Sequence, residues 1–308
     1  MVIAGLQTEN EKSEILQELE ETTTIRGIAT ELAIQAGEDK KKVEIPAVYD
    51  RFKRLFSKEA SQHFPPKRPW DHAIKLKPDA PDAIPCKVYP MTPAEDKALE
   101  DFIQEQYEKG YIRPSKSPYA SPFFFIKKRD GKLRPVQDYR RINSHTIKNQ
   151  YPLPLISDLT NSFVGAHIFT KLDIRWGYNN VWIKEGDEWK AAFKTKYRLW
   201  EPTVMFFGLC NSPSTFQAMM DWIFRPIIDK WGPQGMEVGK YMDDVAVTTR
   251  TNLNDHIECV TEILELAMRY NLFFKLEKCI FHAPRMDYLG IIIEKGMTCM
   301  DPVKVEGI

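Results

Sequence analysis

Apolar residues recur at helical spacing in three long segments of the chain. From Thr92 to Gly110, Leu99, Phe102, Ile103, Gln106 and Tyr107 line one face, the pattern of an amphipathic helix. Its start is explicit, because Thr92 and Glu95 form a capping box and Pro93 falls at the first helical position. Gly110 ends it. A second helix is predicted over about Ser212 to Asp229, with Phe216, Met219, Met220, Ile223 and Ile227 at helical spacing. A third covers about Asn254 to Tyr270, with Ile257, Val260, Ile263, Leu264 and Ala267 on its apolar face. These methionines and aromatics read as core.

Between the helices lie short apolar runs with turn signals. Phe123–Ile126 and Leu133–Asp138 read as a hairpin through Asp130-Gly131. His167–Asp173 reads as a buried strand, and Trp182–Phe193 as a hairpin through Glu185-Gly186-Asp187. Further short strands are expected around Phe273, Tyr288 and Ile292. The stretch Arg225-Pro226 to Gly239 is broken by glycine and proline, so an irregular approach to the next hairpin is expected. Upstream, Pro46 to Pro93 is rich in proline, which fixes φ and removes donors. It reads as extended chain wrapping a surface, with only short strands or helices. Residues 1–45 are polar and acidic and read as poorly ordered or accessory. Asp301-Pro302 is a helix-start signal, and the chain is expected to be cut off at the entry to another element, residues 301–308.

Composition adds bounds. The 308 residues are 43% hydrophobic and 28% charged with zero net charge, an ordinary globular profile that selects no partner. Charge matters locally: Lys127, Lys128, Arg129, Lys132, Arg134, Arg140, Arg141 and Lys148 face only Asp130 and Asp138, making either a solvated hairpin or a phosphate-facing surface. Five cysteines, none in a C-x-x-C, argue against a zinc site or disulfide framework and for a reducing compartment. The longest apolar runs, Phe123–Ile126 and Val204–Leu209, are far too short to span a bilayer. A membrane role is therefore not expected; the location reads as cytosolic or nuclear, with no choice between them.

The candidate chemistry is acidic. Tyr241-Met242-Asp243-Asp244 precedes the apolar Val245-Ala246-Val247. On a regular strand neighbouring side chains point to opposite faces, whereas at a tight turn both aspartates can converge. Two close carboxylates repel, and hard oxygen ligands suit Mg²⁺; a plain polar hairpin tip is the other reading. Asp173, at the end of the His167–Asp173 strand, is alone a cap or turn residue, but with the pair it offers a third carboxylate. Three carboxylates from two strands can hold two ions about 3.5–4 Å apart, the spacing of a phosphoryl-transfer clamp. Lys128 and Arg134 flank the basic turn on opposite strands, where both could reach a triphosphate.

The blocks S-P-Y-A-S-P-F-F-F-I-K-K-R-D-G-K-L-R-P-V-Q-D-Y-R-R-I-N (117–143), Y-P-L-P (151–154), K-L-D-I-R-W-G-Y (171–178), F-G-L-C-N-S-P-S-T-F-Q (207–217), Y-M-D-D (241–244), L-E-K-C (276–279) and Y-L-G (288–290) occur in this order. The chain thereby resembles, over about residues 60–308, the reverse transcriptase of gypsy-type (metavirus) long-terminal-repeat retrotransposons, most like those of fungal genomes. The resemblance implies an α+β right-hand polymerase. Fingers and palm would occupy 93–300, with an antiparallel palm sheet backed by helices, a proline-rich extension at 46–92 and essentially no thumb. It implies Asp173, Asp243 and Asp244 as catalytic and metal-binding residues, with the Ile174 carbonyl as a further ligand to two Mg²⁺ or Mn²⁺ ions. Lys128, Arg134, Tyr178, Phe207, Gly208 and Met242 would meet the dNTP, with Tyr178 as steric gate under the deoxyribose. Tyr241, Met242 and Gln217 would lie against the primer and template. Tyr178 and Phe207 could also be core aromatics. Phe206 departs from the pattern, standing where many relatives have proline.

The implied function is an RNA-directed DNA polymerase working on an RNA or DNA template with a primer, in the cytoplasm (virus-like particle) or nucleus. The rivals are an inactive truncated remnant that at most binds nucleic acid, and an RNA-copying polymerase, against which Tyr178 argues. No protease Asp-Thr/Ser-Gly triplet, zinc knuckle, ribonuclease H or integrase accompanies the blocks, so the chain is expected to be a fragment of a polyprotein.

Overall fold

The structure, a computed structural model, describes residues 43–62, 64–127, 131–295 and 297–300. The expectations for residues 1–42, the Asp130 half of the basic turn, Lys128 and the Asp301-Pro302 helix start lie outside the described residues.

Five α-helices are described: α1 (Pro93–Glu108), α2 (Arg140–His145), α3 (Ile156–Ser162), α4 (Ser212–Trp231) and α5 (Leu253–Arg269). The strands, in chain order, are β1 (Ile112–Pro114), β2 (Ser121–Lys127), β3 (Leu133–Gln137), β4 (Ile168–Asp173), β5 (Phe193–Lys194) and β6 (Leu199–Pro202). They continue with β7 (Met236–Tyr241), β8 (Asp244–Thr249), β9 (Ile280–Ala283), β10 (Arg285–Tyr288), β11 (Ile291–Glu294) and β12 (Met297–Met300). They form a five-stranded sheet β1-β6-β5-β2-β3, a four-stranded sheet β7-β8-β4-β9 and a three-stranded sheet β10-β11-β12.

Helix α1 begins as its sequence dictates. Glu95 N donates to Thr92 Oγ1 at 3.4 Å and Thr92 N to Glu95 Oε2 at 2.8 Å, so two orphan donors of the first turn are satisfied reciprocally. The hairpin β2–β3 forms with Ile126 opposite Arg134. The expected hairpin over Trp182–Phe193 does not. Trp182 bridges Val204, Ile183 bridges His72, and Glu188–Ala191 turns as a 3-10 helix. Phe193 instead pairs in parallel with Ser121. The turn at Glu185-Gly186 forms, with Asp187 N donating to Lys184 O at 2.9 Å, but the runs on either side of it pair with distant segments rather than with each other. The approach through Pro226 is also more regular than expected: α4 runs on to Trp231 and β7 follows as a full strand.

The four-stranded sheet is covered on both faces. Val245 and Val247 of β8 and Leu172 of β4 join a core with α4 and α5, through Phe216, Met220, Val260 and Leu264. Ala246 and Phe169 face the other way, onto Phe163, Met286, Tyr288 and Ile293. Two-sided burial explains why Val245-Ala246-Val247 is continuously apolar rather than alternating. Backbone and ring meet closely on the second face. A Cβ on Gly239 would lie 2.3 Å from Phe163 Cζ, so only glycine lets β7 sit over that ring.

The proline-rich stretch is part of this core. Ala47–Phe56 forms a 3-10 helix, and its Tyr49, Phe52, Leu55 and Phe56 are buried beside α5 and Phe274. Beyond it the chain crosses the molecule. Ser61 Oγ accepts from Trp176 Nε1 at 2.8 Å, Pro65 O from Trp182 Nε1 at 2.6 Å, and Arg68 Nη2 donates to Tyr270 O at 2.5 Å.

A buried polar set ties α5 to the sheet. His256, with no exposed surface, has its ring nitrogens 2.7 Å from Thr170 Oγ1 and 2.7 Å from Thr249 Oγ1. Burial drives its pKa down to about 3, with His282 adding to the effect. The folded state therefore keeps this ring neutral at pH values where the unfolded chain protonates it. Its contribution to stability is present above about pH 6.5 and is lost as pH falls towards about 3. His256→Gln, which can still bond both threonines, should flatten the stability–pH curve in that window by up to about 1.4 kcal/mol per pH unit, read by urea denaturation at stepped pH.

Candidate active site

The register of β4 against β8 builds the centre of the site. Asp173 is the Cα partner of Asp244 at the end of the ladder, and directly opposed residues share a face. Tyr241 pairs with Asp244 across a two-residue loop, Met242-Asp243, so the aspartate pair straddles a turn rather than a regular strand. Met242 takes φ +52°, the positive value that tight hairpin loops require at their first position. Asp243 O accepts from Ile174 N at 2.8 Å, tying the turn to the end of β4. All three carboxylates therefore gather at the same edge of one sheet, beside a cleft of about 450 Å³ whose lining includes Lys171, Asp173, Asp244, Lys278 and Asp287.

Charge balance there is met by lysines. Two carboxylates roughly 5 Å apart repel by about 3 kcal/mol at the effective dielectric of a protein. Asp173 is only 5% exposed, and its Oδ1 is 2.6 Å from Lys275 Nζ while its Oδ2 is 3.2 Å from Lys278 Nζ. Burial pushes the Asp244 carboxyl above its ordinary range. Asp243 and Asp173 push the same way, and Lys171 and Lys278 oppose them. For Lys278, burial works to lower the pKa, but Asp173 and the other two aspartates outweigh it and the ammonium is held above its usual value.

The donor set fits a hard divalent cation: carboxylate oxygens plus the Ile174 carbonyl. The position of Lys275 supports the fit, because its ammonium, 2.6 Å from Asp173 Oδ1, also lies 3.4 Å from Ile174 O. A cation already sits between two of the expected ligands. Among the described residues no three His, Cys, Asp or Glu side chains are gathered closely enough to hold a metal ion as they stand. A metal would therefore have to displace Lys275 and draw the carboxylates together. Neither lysine carries a signal of its own in the sequence, although the L-E-K-C block contains Lys278.

The expected nucleotide contacts form a second group. Tyr178 is 8% exposed, its ring centroid 4.8 Å from Phe207 and 5.7 Å from Phe216, its hydroxyl 3.5 Å from Met242 Sδ. It is thus both a core-edge aromatic and a neighbour of the turn. Burial and the Asp243 charge raise its hydroxyl pKa to about 12, so it stays protonated at neutral pH. Phe207 is half exposed, and the Arg134 guanidinium lies 4.9 Å from its ring centre. Tyr241 is half-buried at the edge of the second core face.

Gln217 does not reach the surface. It has no exposed area and its Oε1 accepts from Met242 N at 3.0 Å. In place of the expected contact with primer or template, its amide meets the Met242-Asp243 turn, because position 217 faces inward on α4. Among the described residues no helix is long and apolar enough to cross a membrane.

Gly208 lies beneath this group with φ +101°, and a Cβ there would come 3.2 Å from both Gln137 O and Tyr139 Cδ2. Gly208→Ala should cost about 1–3 kcal/mol of stability from backbone strain, measured by urea denaturation at neutral pH.

Comparison with known proteins agrees with this geometry. The family model described as reverse transcriptase (RNA-dependent DNA polymerase) matches residues 126–293. The Transposon Tf2-3 polyprotein of Schizosaccharomyces pombe is 32% identical over 260 residues, 84% of this chain, and the Transposon Tf2-7 polyprotein of the same organism is 31% identical over the same span. The chain spans 19% of the length of these polyproteins. Among solved structures, the foamy viral protease-reverse transcriptase in complex with RNA/DNA hybrid superposes with a TM-score of 0.73 at 19% identity, covering 82% of this chain and 33% of that one. The same protein in complex with dsDNA gives 0.74 at 18%, covering 92% and 58%. The shared fold is thus that of polymerase fingers and palm, and the chain belongs to the reverse transcriptase family of retrotransposon polyproteins.

Proposed function

We propose that this chain is the polymerase part of a gypsy-type long-terminal-repeat retrotransposon polyprotein of fungal kind, transferring deoxynucleotides to a primer 3′-hydroxyl on an RNA or DNA template. The observation that carries the reading is the opposition of Asp173 and Asp244 at the end of β4–β8, with Asp243 in the adjoining turn. Residues 93–300 are read as fingers and palm, and 46–92 as an extension that braces them.

Asp173, Asp243, Asp244 and the Ile174 carbonyl would hold two Mg²⁺ or Mn²⁺ ions. When bound, such ions activate the attacking hydroxyl and neutralise charge on the leaving pyrophosphate. The protein's own residues do the positioning. Arg134, on the exposed face of β3 and stacked on Phe207, would meet a triphosphate, together with Lys128, which follows β2 in the sequence. Tyr178, packed between Phe207 and Phe216, presents a fixed ring edge where a 2′-hydroxyl would clash. Tyr241 and Met242 would lie against the primer end. Template and primer would be gripped mainly through backbone phosphates, with strong salt dependence and little sequence preference.

Asp243→Asn should abolish primer extension on an RNA template while leaving the unfolding free energy within about 0.5 kcal/mol of the parent, as for a partly exposed isosteric change. Undiminished extension by this variant would overturn the assignment of the aspartates. Absence of extension by the unaltered chain, with duplex binding retained, would favour an inactive nucleic-acid-binding remnant. Tyr178→Ala should raise incorporation of rNTP relative to dNTP by at least about tenfold, as expected for loss of a steric clash of a few kcal/mol, read in single-nucleotide competition.

A further inference from the structure

The turn that carries Asp243 is held from behind by a polar chain. Gln217 on α4 has no exposed surface, and its Oε1 accepts the Met242 amide at 3.0 Å. A glutamine amide can be rotated by half a turn with little change in shape, and the wrong rotamer would aim an NH₂ group at the Met242 N–H. Asp221, one helical turn further along α4, settles the orientation. Its Oδ1 accepts from Gln217 Nε2 at 3.0 Å, and the Lys240 carbonyl accepts from the same nitrogen at 3.4 Å.

Asp221 is itself fixed from two sides. Tyr151 Oη donates to its Oδ2 at 2.5 Å, and Lys240 Nζ lies 2.9 Å from Oδ1. Tyr151 enters from the Y-P-L-P block, whose position is pinned by Tyr151 N donating to Asn149 Oδ1 at 3.0 Å and Ser214 Oγ donating to Tyr151 O at 3.2 Å. Burial and the bond to Asp221 raise the Tyr151 pKa to about 12, so the phenol remains a donor over the working range of pH. The Asp221 side chain borders a cleft of about 400 Å³ between α4, β7 and the Y-P-L-P segment.

We propose that Asp221 and Tyr151 are positioning residues for nucleotide addition, acting through Gln217 to hold the Met242 peptide in its left-handed conformation and so aim Asp243 and Asp244. A non-glycine residue at φ +52° is strained, on the scale that a single hydrogen bond to a buried acceptor can offset. Without the oriented acceptor the turn is free to relax, and the two carboxylates move with it. A tie that merely joined helix to strand could end anywhere on β7; this one ends on the amide between Tyr241 and the aspartates.

The inference rests on the polymerase reading, and the test separates the two. Steady-state primer extension is measured for the 308-residue chain and for Asp221→Leu, Tyr151→Phe and Asp221→Asn, together with the ¹⁵N–¹H resonance of the Met242 amide. Asp221→Leu should lower kcat by about tenfold or more with dNTP KM and duplex Kd nearly unchanged, the pattern of a misaligned site. Tyr151→Phe should show a smaller loss of the same kind. Asp221→Asn, whose Oδ1 still accepts from Gln217 while its Nδ2 donates to Tyr151 Oη, should restore most of kcat. In Asp221→Leu the Met242 amide proton should move upfield and exchange faster, with the unfolding midpoint of Tyr151→Phe close to the parent. An unmoved Met242 amide in Asp221→Leu overturns the relay, whatever happens to kcat. An inactive parent chain overturns the polymerase reading alone, and the amide still decides the relay. Should Asp221→Leu fail to fold, the kcat and amide of Tyr151→Phe decide it, unchanged values overturning it.

Discussion

Everything at the site depends on the pairing of β4 with β8. An antiparallel ladder has a side-chain period of two, so a slip of one residue would send Asp173 to the helix-covered face and Leu172 to the polar cleft. The slip is prevented by what the other positions bury. Leu172, Val245 and Val247 go under α4 and α5, while Phe169 and Ala246 meet Phe163 and Tyr288. Each face is closed by its own apolar cluster, and Thr170 and Thr249 lock onto His256 from within. Hydrophobic burial over six paired residues thereby fixes the location of three charges.

The price of that location is electrostatic. Asp173 and Asp244 are held side by side in a place where burial already disfavours charge. The chain answers with Lys275 and Lys278, both in the short segment that follows β8 through α5 and precedes β9. Lys171, on β4 itself, is turned instead to Asp287 at 3.0 Å. The set resembles a charged lattice with one replaceable member: Lys275 spans Asp173 Oδ1 and Ile174 O, the two kinds of oxygen a divalent cation would take.

The sequence made the helices and the aspartates legible, and the reasons are physical. Thr92, Pro93 and Glu95 encode a helix start through local bonds alone, and α4 and α5 repeat apolar residues over many turns. Asp243-Asp244 stands out because two adjacent charges inside an apolar stretch demand a partner. What stayed hidden depends on distant contacts. Ile183 pairs with His72 and Phe193 with Ser121, so the turn at Gly186 forms without a hairpin around it. Gln217 reads as a primer or template contact only through the block it belongs to; packing reveals that its amide points into the protein. In Ala47–Phe56 the residues Tyr49, Phe52 and Leu55 recur every third position, but the prolines around them masked a short helix and nothing local shows that they fill a distant core.

That last segment has a consequence for how the molecule comes into being. Tyr49 leaves the ribosome well ahead of the partner of its hydroxyl, His282 at 2.7 Å, which follows 233 residues later. At translation rates of about 5–20 residues per second the wait is on the order of ten seconds or more. For that interval Tyr49, Phe52, Leu55 and Phe56 have no α5 and no Phe274 to cover them. The Ala47–Phe56 helix therefore waits for residues made long after it, and the core behind the Asp173–Asp244 sheet closes only once α5 and Phe274 have followed.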